Sequence, residues 1–168
     1  YSASLSTDHA VKSRDIIKSD KYKDYFPEVS IKSDQDNKTH YKNNNGGERY
    51  ATSVTGTVTG FHAHLIIVDD PLNPKGASSE ADRTTANDFM DVTLSTRKVS
   101  KSVTPTILVM QRLHTKDCTG NWLEKEGKKL KHISLPGRLS KDVKPIELKD
   151  RYINGLLDTQ RLKETDLE

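Results

Sequence analysis

The sequence predicts an α/β fold in which helices flank a parallel sheet. Two aliphatic runs, residues 65–68 and 106–110, each indicate a strand buried on both faces, as in the centre of a parallel sheet. A helical pattern lies between them and another follows the second run. Strands that alternate with helices are typical of a parallel sheet. If the two strands are neighbours, the polar residues that end them meet at one rim of that sheet.

Composition narrows the classes of protein to which the chain can belong. Of 168 residues, 32% are hydrophobic, against roughly 45–50% in average globular domains, and 30% are charged. Much of the chain is therefore expected to be solvated surface, loop or interface. The net charge of +3 permits contact with nucleic acid or nucleotide without requiring it. A single cysteine excludes an internal disulfide, and no apolar run approaches the roughly 20 residues of a membrane span.

The N-terminal part of the chain is expected to hold a helix and a hairpin. Polar residues at positions 6 to 8 predict the start of a helix that continues to about residue 18. Residues 29–31 alternate like a short strand. Residues 40–42 and 48–54 are expected to pair as a hairpin, because the Asn- and Gly-rich turn at 43–47 tolerates positive φ.

The remaining elements follow the same patterns. A Ser-Ser-Glu start predicts a helix over residues 78–94, and a second helix is expected at about 116–125. Residues 130–135 predict one more strand. Residues 136–152 are polar and are interpreted as a linker, and 155–168 as the start of a further helical element.

Two acids at the end of the first strand point to nucleotide chemistry. Asp69 and Asp70 follow the aliphatic run, and Pro71 stops further strand pairing. Ligands of open α/β sheets bind beyond the carboxyl ends of the strands. A hydrophobic strand that ends in two acids is the Walker B pattern of P-loop ATPases, in which the first acid holds Mg²⁺ and the second polarises the attacking water. The alternative is an Asp-Asp-Pro segment that only opens a turn.

The chain resembles the large terminase subunit of tailed bacteriophages over essentially its whole length, in collinear order. The segments that carry the resemblance are residues 1–3, 14–17, 46–54, 59–60, 65–71, 107–114, 117–120, 135–136, 155–158 and 161–162. The resemblance implies a DNA-packaging motor, an ATPase joined to a nuclease. The fold it implies is part of a P-loop NTPase of the ASCE type, a parallel sheet with flanking helices and an inserted β-hairpin.

The resemblance also implies roles, cofactors and partners. Asp69 corresponds to the Mg²⁺ ligand and Asp70 to the catalytic carboxylate, and Gln111 and Arg112 lie in the segment that senses nucleotide and couples hydrolysis to movement. The implied cofactors are ATP and Mg²⁺ in the complete protein. The implied partners are double-stranded DNA, the small terminase subunit, the portal protein and a ring of further copies. The implied location is the cytoplasm of the infected or lysogenic bacterial host, with no membrane association.

The chain departs from the family pattern at the phosphate-binding loop. No G-x-x-x-x-G-K-[ST] string occurs in it, and in the family that loop precedes the position of Tyr1. The family's nuclease carboxylates lie beyond Glu168. We therefore interpret residues 1–135 as the C-terminal portion of the ATPase domain, and 136–168 as a linker toward the nuclease. The parent protein is expected to be an ATPase and this chain by itself to be inactive.

Smaller departures leave other interpretations open. Asp70 stands where many P-loop ATPases carry Glu, and Gln111 where many terminases carry Thr. Arg112 could contact phosphate, DNA or a neighbouring acid, with an ion pair to Asp69 or Asp70 as the structural alternative. A non-catalytic nucleotide- or DNA-binding scaffold derived from a P-loop ATPase is the main alternative function. A metal-dependent nuclease built on Asp69 and Asp70 is a third, although it needs further acids.

Overall fold

The computed structural model describes residues 3–167, so Tyr1 and Ser2 of the resembling segments lie outside the described residues. The chain forms two compact units, the first ending at Trp122 and the second beginning at Leu123. No helix among the described residues is long and apolar enough to cross a membrane. The assignment of 1–135 and 136–168 to parts of a packaging motor stays a prediction.

The first unit is a mixed α/β structure with one antiparallel and one parallel sheet. Its elements are α1 (Ala3–Lys18), α2 (Asp20–Tyr25), β1 (Ile31–Asp36), β2 (His40–Asn43), β3 (Glu48–Tyr50), β4 (Ile66–Asp69), α3 (Pro74–Ala77), α4 (Glu80–Asp88), a π-helical turn (Phe89–Thr93), a 3-10 turn (Leu94–Arg97), β5 (Thr106–Val109) and α5 (Cys118–Glu126), whose last residues belong to the second unit.

The first helix and the hairpin form one charged module. Helix α1 begins earlier than the sequence predicts, because Thr7 lies inside it and donates its hydroxyl to the carbonyl of Ala3 instead of capping. Strands β2 and β3 pair across the Asn/Gly turn as predicted, and β1 adds a third antiparallel strand. Lys18 and Arg14 of α1 form ion pairs with Asp36 at the end of β1.

Strands β4 and β5 are parallel and directly hydrogen-bonded, as the α/β prediction requires. Ile67 lies opposite Ile107 and Asp69 opposite Val109. One face of this pair packs on the main core together with the helices that follow β4. The buried core residues are Ile66, Val68, Leu72, Ala77, Ala86, Met90, Leu94 and Cys118. Ser79 caps α4 through the backbone N–H of Asp82, as predicted from the Ser-Ser-Glu start.

The prediction that β4 is buried on both faces is wrong. Ile66 and Val68 are each 8% exposed, whereas Ile67 is 64% exposed. Ile107 and Val109 of β5, on the same face as Ile67, are also about half exposed. The reason is that α3 and α4 cover a single face, and no other element within residues 3–122 of the first unit covers the second.

The second unit contains little regular structure. The strand predicted at residues 130–135 is absent from it, and Ser134 makes an isolated antiparallel bridge with Lys144. The predicted linker contains a 3-10 helix, Ile146–Arg151, and the predicted terminal helix is reduced to a 3-10 turn, Glu164–Leu167. Val143 and Leu156 are buried here, at 2% and 8% exposure. These residues are therefore ordered by turns rather than by extended strands or helices.

Candidate functional site

The carboxyl end of β4 presents two exposed acids in different backbone conformations. Asp69 is the last residue of the strand, opposite Val109. Asp70 continues the ladder by donating its N–H to the carbonyl of Val109 at 2.9 Å, but its φ of 42° lies in the left-handed region. Asp and Asn are enriched among non-glycine residues in that region. The chain therefore turns away from the sheet at Asp70, and the backbone needs a residue that tolerates this conformation.

The second residue after β5, Gln111, lies at the same rim. The backbone N–H of Gln111 donates to Oδ1 of Asp70 at 3.3 Å. The predicted meeting of the two strand ends is therefore present for Asp70 and Gln111, through a backbone donor. The side chain of Gln111 is exposed. A rearrangement of the loop after β5 would alter a hydrogen bond to the Asp70 carboxylate.

Arg112 points its guanidinium at an acid that the sequence did not single out. Its Nε donates to both carboxylate oxygens of Asp117, at 3.0 and 3.1 Å. Its Nη2 also donates to the carbonyl of His114 at 3.3 Å. The ion pair predicted with Asp69 or Asp70 is thus formed with Asp117, because the loop folds back within six residues. The role of Arg112 in nucleotide sensing stays a prediction.

Asp117 organises the loop between β5 and α5. Its carboxylate is fully buried and accepts the backbone N–H groups of Leu113, His114 and Gly120 at 2.8 to 3.2 Å. Burial raises the pKa of Asp117, but the backbone donors and Arg112 outweigh it. The pKa therefore lies below its usual value. The charged form of Asp117 stabilises one conformation of the loop that carries Gln111 and Arg112.

Gly120 allows the loop to approach α5 closely. A Cβ at this position would lie 1.9 Å from the carbonyl oxygen of Thr115 and 3.1 Å from Nη2 of Arg112. Real Cβ atoms essentially never approach backbone so closely. Glycine is therefore required by space here, and it places its N–H against Asp117 in the first turn of α5.

Asp117 could have been found from the sequence by a capping signal. It precedes the first residue of α5, and the N–H it accepts from Gly120 is the third of the helix, the usual geometry of an N-terminal cap. The sequence interpretation placed this helix at about 116–125 and left Asp117 inside it. No local pattern indicates that Arg112 also donates to the carboxylate of Asp117.

The carboxylates at the rim suit a magnesium ion that is bound to a nucleotide. Mg²⁺ retains several waters and usually takes one or two carboxylates together with phosphate oxygens. Asp69 and Asp70 supply such a pair. Among residues 3–167 no group of three or more His, Cys, Asp or Glu side chains could hold a metal ion on its own. The rim therefore fits a shared site better than an all-protein metal centre.

Comparisons with known proteins add no assignment. No protein-family model matches this chain, and neither a curated protein nor a solved structure shows significant similarity to it.

Proposed function

We propose that this chain is a portion of the ATPase domain of a phage terminase large subunit, carrying the Walker B and coupling segments. The observation that supports this assignment best is the arrangement of β4 and β5. The strands are parallel neighbours, and Asp69, Asp70 and Gln111 lie at the same end of them. That is the rim at which α/β sheets bind their ligands. The collinear resemblance supplies the family, and the P-loop type of the sheet belongs to the same proposal.

In this function each residue has one task. Asp69 would hold the Mg²⁺ that accompanies ATP, which would supply neutralisation of the phosphate charge. Asp70 accepts a hydrogen bond from the attacking water and orients it. Gln111 links the loop after β5 to Asp70 through its backbone N–H. Arg112 is held by Asp117 and fixes the conformation of that loop. A movement of the loop would therefore change the hydrogen bond that Gln111 donates to Asp70.

The partners follow from the proposed function. The complete protein would act on double-stranded DNA with the small terminase subunit and the portal protein, as a ring of its own copies. It would do so in the cytoplasm of the infected or lysogenic bacterial host. These assignments rest on the resemblance of the sequence.

A non-catalytic scaffold for nucleotide or DNA is the second candidate. It is favoured by one observation, that Asp70 already has structural tasks. The residue adopts a left-handed conformation and accepts the N–H of Gln111. A carboxylate in a purely structural turn would show the same two features.

Paired substitutions in the complete motor, including its phosphate-binding loop, separate the two candidates. Asp69→Ala should weaken Mg²⁺-dependent nucleotide binding as well as turnover. Asp70→Asn is the informative change, because Asn tolerates the left-handed conformation and retains an oxygen for the Gln111 N–H. It should lower turnover by about 10²–10⁴ with nucleotide affinity nearly unchanged. Steady-state ATPase assays and nucleotide titrations measure both.

Two results would change this assignment. If Asp70→Asn turns over like the unaltered protein while Asp69→Ala is inactive, the catalytic role moves from Asp70, with Gln111 next in line. If the unaltered protein binds nucleotide or DNA without turning over ATP, the scaffold is favoured. The simplest observation that separates the motor from the scaffold is the sequence upstream of Tyr1 in the reading frame. A G-x-x-x-x-G-K-[ST] string between a strand and a helix there would support the motor.

The chain by itself should hydrolyse ATP negligibly. Without a phosphate cradle, Asp69 and Asp70 cannot position the γ-phosphoryl group. A purified preparation, compared with its own Asp70→Asn variant, should show the same background rate. Robust turnover that the substitution abolishes would show that the sequence interpretation has missed a phosphate-binding element.

A further inference from the structure

A cleft of about 220 Å³ lies in the first unit between α4 and the loop that follows β5. It contains neither Asp69 nor Asp70, and the proposed function assigns it no task. Its lining residues are Glu80, Arg83, Thr84, Asn87, His114 and Lys116. Two different parts of the chain therefore contribute polar side chains to one concave surface.

The lining offers mostly hydrogen-bond donors. Nη1 of Arg83 donates to the carbonyl of Ala77 at 2.6 Å, and the remaining N–H groups of the guanidinium can donate to a ligand. Lys116 supplies an ammonium group and Thr84 a hydroxyl. Nδ1 of His114 accepts the backbone N–H of Lys116 at 3.0 Å, so the neutral ring carries its proton on Nε2. Two permanent cations and further donors favour an anion.

The lining also offers one acceptor that a fully ionised anion cannot use, the carboxylate of Glu80. Asn87 offers the cleft no such acceptor, because its Oδ1 is buried, and its Nδ2 donates to the carbonyl of Lys116 at 3.3 Å. A ligand that satisfies this lining must therefore accept several hydrogen bonds and donate at least one.

The volume limits the ligand to a small group. Sites that enclose drug-sized molecules occupy about 300–1,000 Å³, and this cleft is smaller. A tetrahedral oxyanion remains. Hydrogen phosphate has oxygens for the cations and an O–H for Glu80, whereas sulfate has no proton at neutral pH. A phosphomonoester has a second pKa near 6 and has largely lost its proton at pH 7.5.

We propose that the cleft between α4 and the loop after β5 binds inorganic phosphate, held by Arg83 and Lys116 and selected through its O–H by Glu80. This site does not depend on the ATPase assignment, and its failure would leave that assignment unchanged.

The test is isothermal titration of the full chain with inorganic phosphate and with sulfate, at pH 7.5 and constant ionic strength. Constant ionic strength removes general screening as a difference between the anions. Phosphate should bind at least about tenfold more tightly than sulfate, because a carboxylate repels an anion that cannot donate to it. Glycerol phosphate should bind more weakly than inorganic phosphate, and dimethyl phosphate more weakly still.

Three variants locate the binding. Lys116→Gln should weaken phosphate about tenfold, whereas Lys101→Gln, an exposed lysine outside the cleft, should leave it unchanged. Glu80→Gln should reduce the preference for phosphate over sulfate. Circular dichroism and thermal unfolding of each variant establish that it is folded. Since Lys116 makes no ion pair with the described residues 3–167 that its replacement would break, this variant is expected to fold normally.

Three outcomes would overturn the site. One is an affinity for sulfate equal to that for phosphate in the unaltered chain. Another is an equal loss of phosphate binding in Lys116→Gln and Lys101→Gln, which would show a diffuse attraction to positive charge. The third is no detectable phosphate binding at millimolar concentration.

Discussion

The two sheets of the first unit are stabilised by different interactions. The antiparallel sheet β1–β3 is polar, and charged side chains join its strands. Glu48 of β3 accepts a hydrogen bond from His40 of β2 at 2.5 Å and forms an ion pair with Lys42 of β2 at 3.3 Å. The parallel pair β4–β5 is apolar and depends on burial. Its covered face is in the core, and its second face exposes Ile67 and Ile107.

The difference shows where stability and where function reside. Charge pairs at a partly exposed surface contribute little each and are screened by salt, so the charged residues of the antiparallel sheet are expected to tolerate substitution. Of the described residues of this sheet only Tyr41 is buried, whereas the parallel pair buries Ile66 and Val68 of β4 and carries the candidate rim at its end. Four predictions test this contrast.

The largest effect is expected from the acid that fixes the loop after β5. Asp117→Ala removes a helix cap, the acceptor of two further backbone N–H groups and the partner of Arg112. We expect the free energy of unfolding to fall by about 3–4 kcal/mol, since buried N–H groups are left without partners. Urea unfolding measures it. Asp117→Asn, which retains an acceptor, should lose less, and Asp34→Ala on exposed β1 should lose almost nothing. A loss below about 1 kcal/mol for Asp117→Ala would contradict its organising role.

Two adjacent isoleucines in β4 compare the covered and uncovered faces directly. Ile66→Ala should lower the free energy of unfolding by about 2–3 kcal/mol, because it opens a cavity among Val68, Met90 and their neighbours. Ile67→Ala should cost under about 1 kcal/mol, because that side chain is 64% exposed. Both substitutions change strand propensity equally, so their difference isolates burial. Equal losses would show that another part of the protein covers Ile67 in solution.

The uncovered face should also promote association. Exposed apolar surface and unpaired strand edges favour contact between molecules. We expect the chain to self-associate or to have low solubility, and Ile67→Thr to reduce the association measured by sedimentation velocity. Thr retains the β-branched shape on a strand. The matched Val92→Thr, also exposed but outside β4 and β5, should leave association unchanged. A monodisperse and stable monomer would contradict this prediction.

The smallest effect is expected in the charged hairpin. The hydrogen bond from His40 lowers the pKa of Glu48, against burial, which raises it, and Lys42 lowers it further. A folded-state pKa below the unfolded value gives stability that is present above about pH 4.5 and is lost as the pH falls through the folded pKa. We expect a contribution under about 1 kcal/mol at pH 7, because the pair is partly exposed.

Urea unfolding between pH 7 and pH 3 tests this contribution in Glu48→Gln. The variant should show a weaker pH dependence than the unaltered chain. Glu28→Gln, an exposed acid near β1, should retain the full dependence. A pH dependence in Glu48→Gln equal to that of the unaltered chain would show that other acids account for the effect.

Local patterns predicted those features that neighbouring residues decide. The hairpin turn, the cap of α4 at Ser79 and the two aliphatic strands each depend on residues within a few positions, and each is present. A further local signal lies in the second unit. Asn154 and Gly155 both have positive φ and form a two-residue turn in which Ile153 and Leu156 exchange hydrogen bonds. An Asn-Gly pair is the strongest short signal for such a turn.

The sequence by itself determined that β4 and β5 are strands and that acids follow the first of them. Only the tertiary structure decided which face of each strand is covered, since an apolar run has the same composition whether one or two layers pack on it. It also decided that Arg112 pairs with Asp117 rather than with Asp69 or Asp70. The physical reason is that burial and ion pairing depend on distances that the folded chain sets, whereas turns and caps depend on adjacent residues.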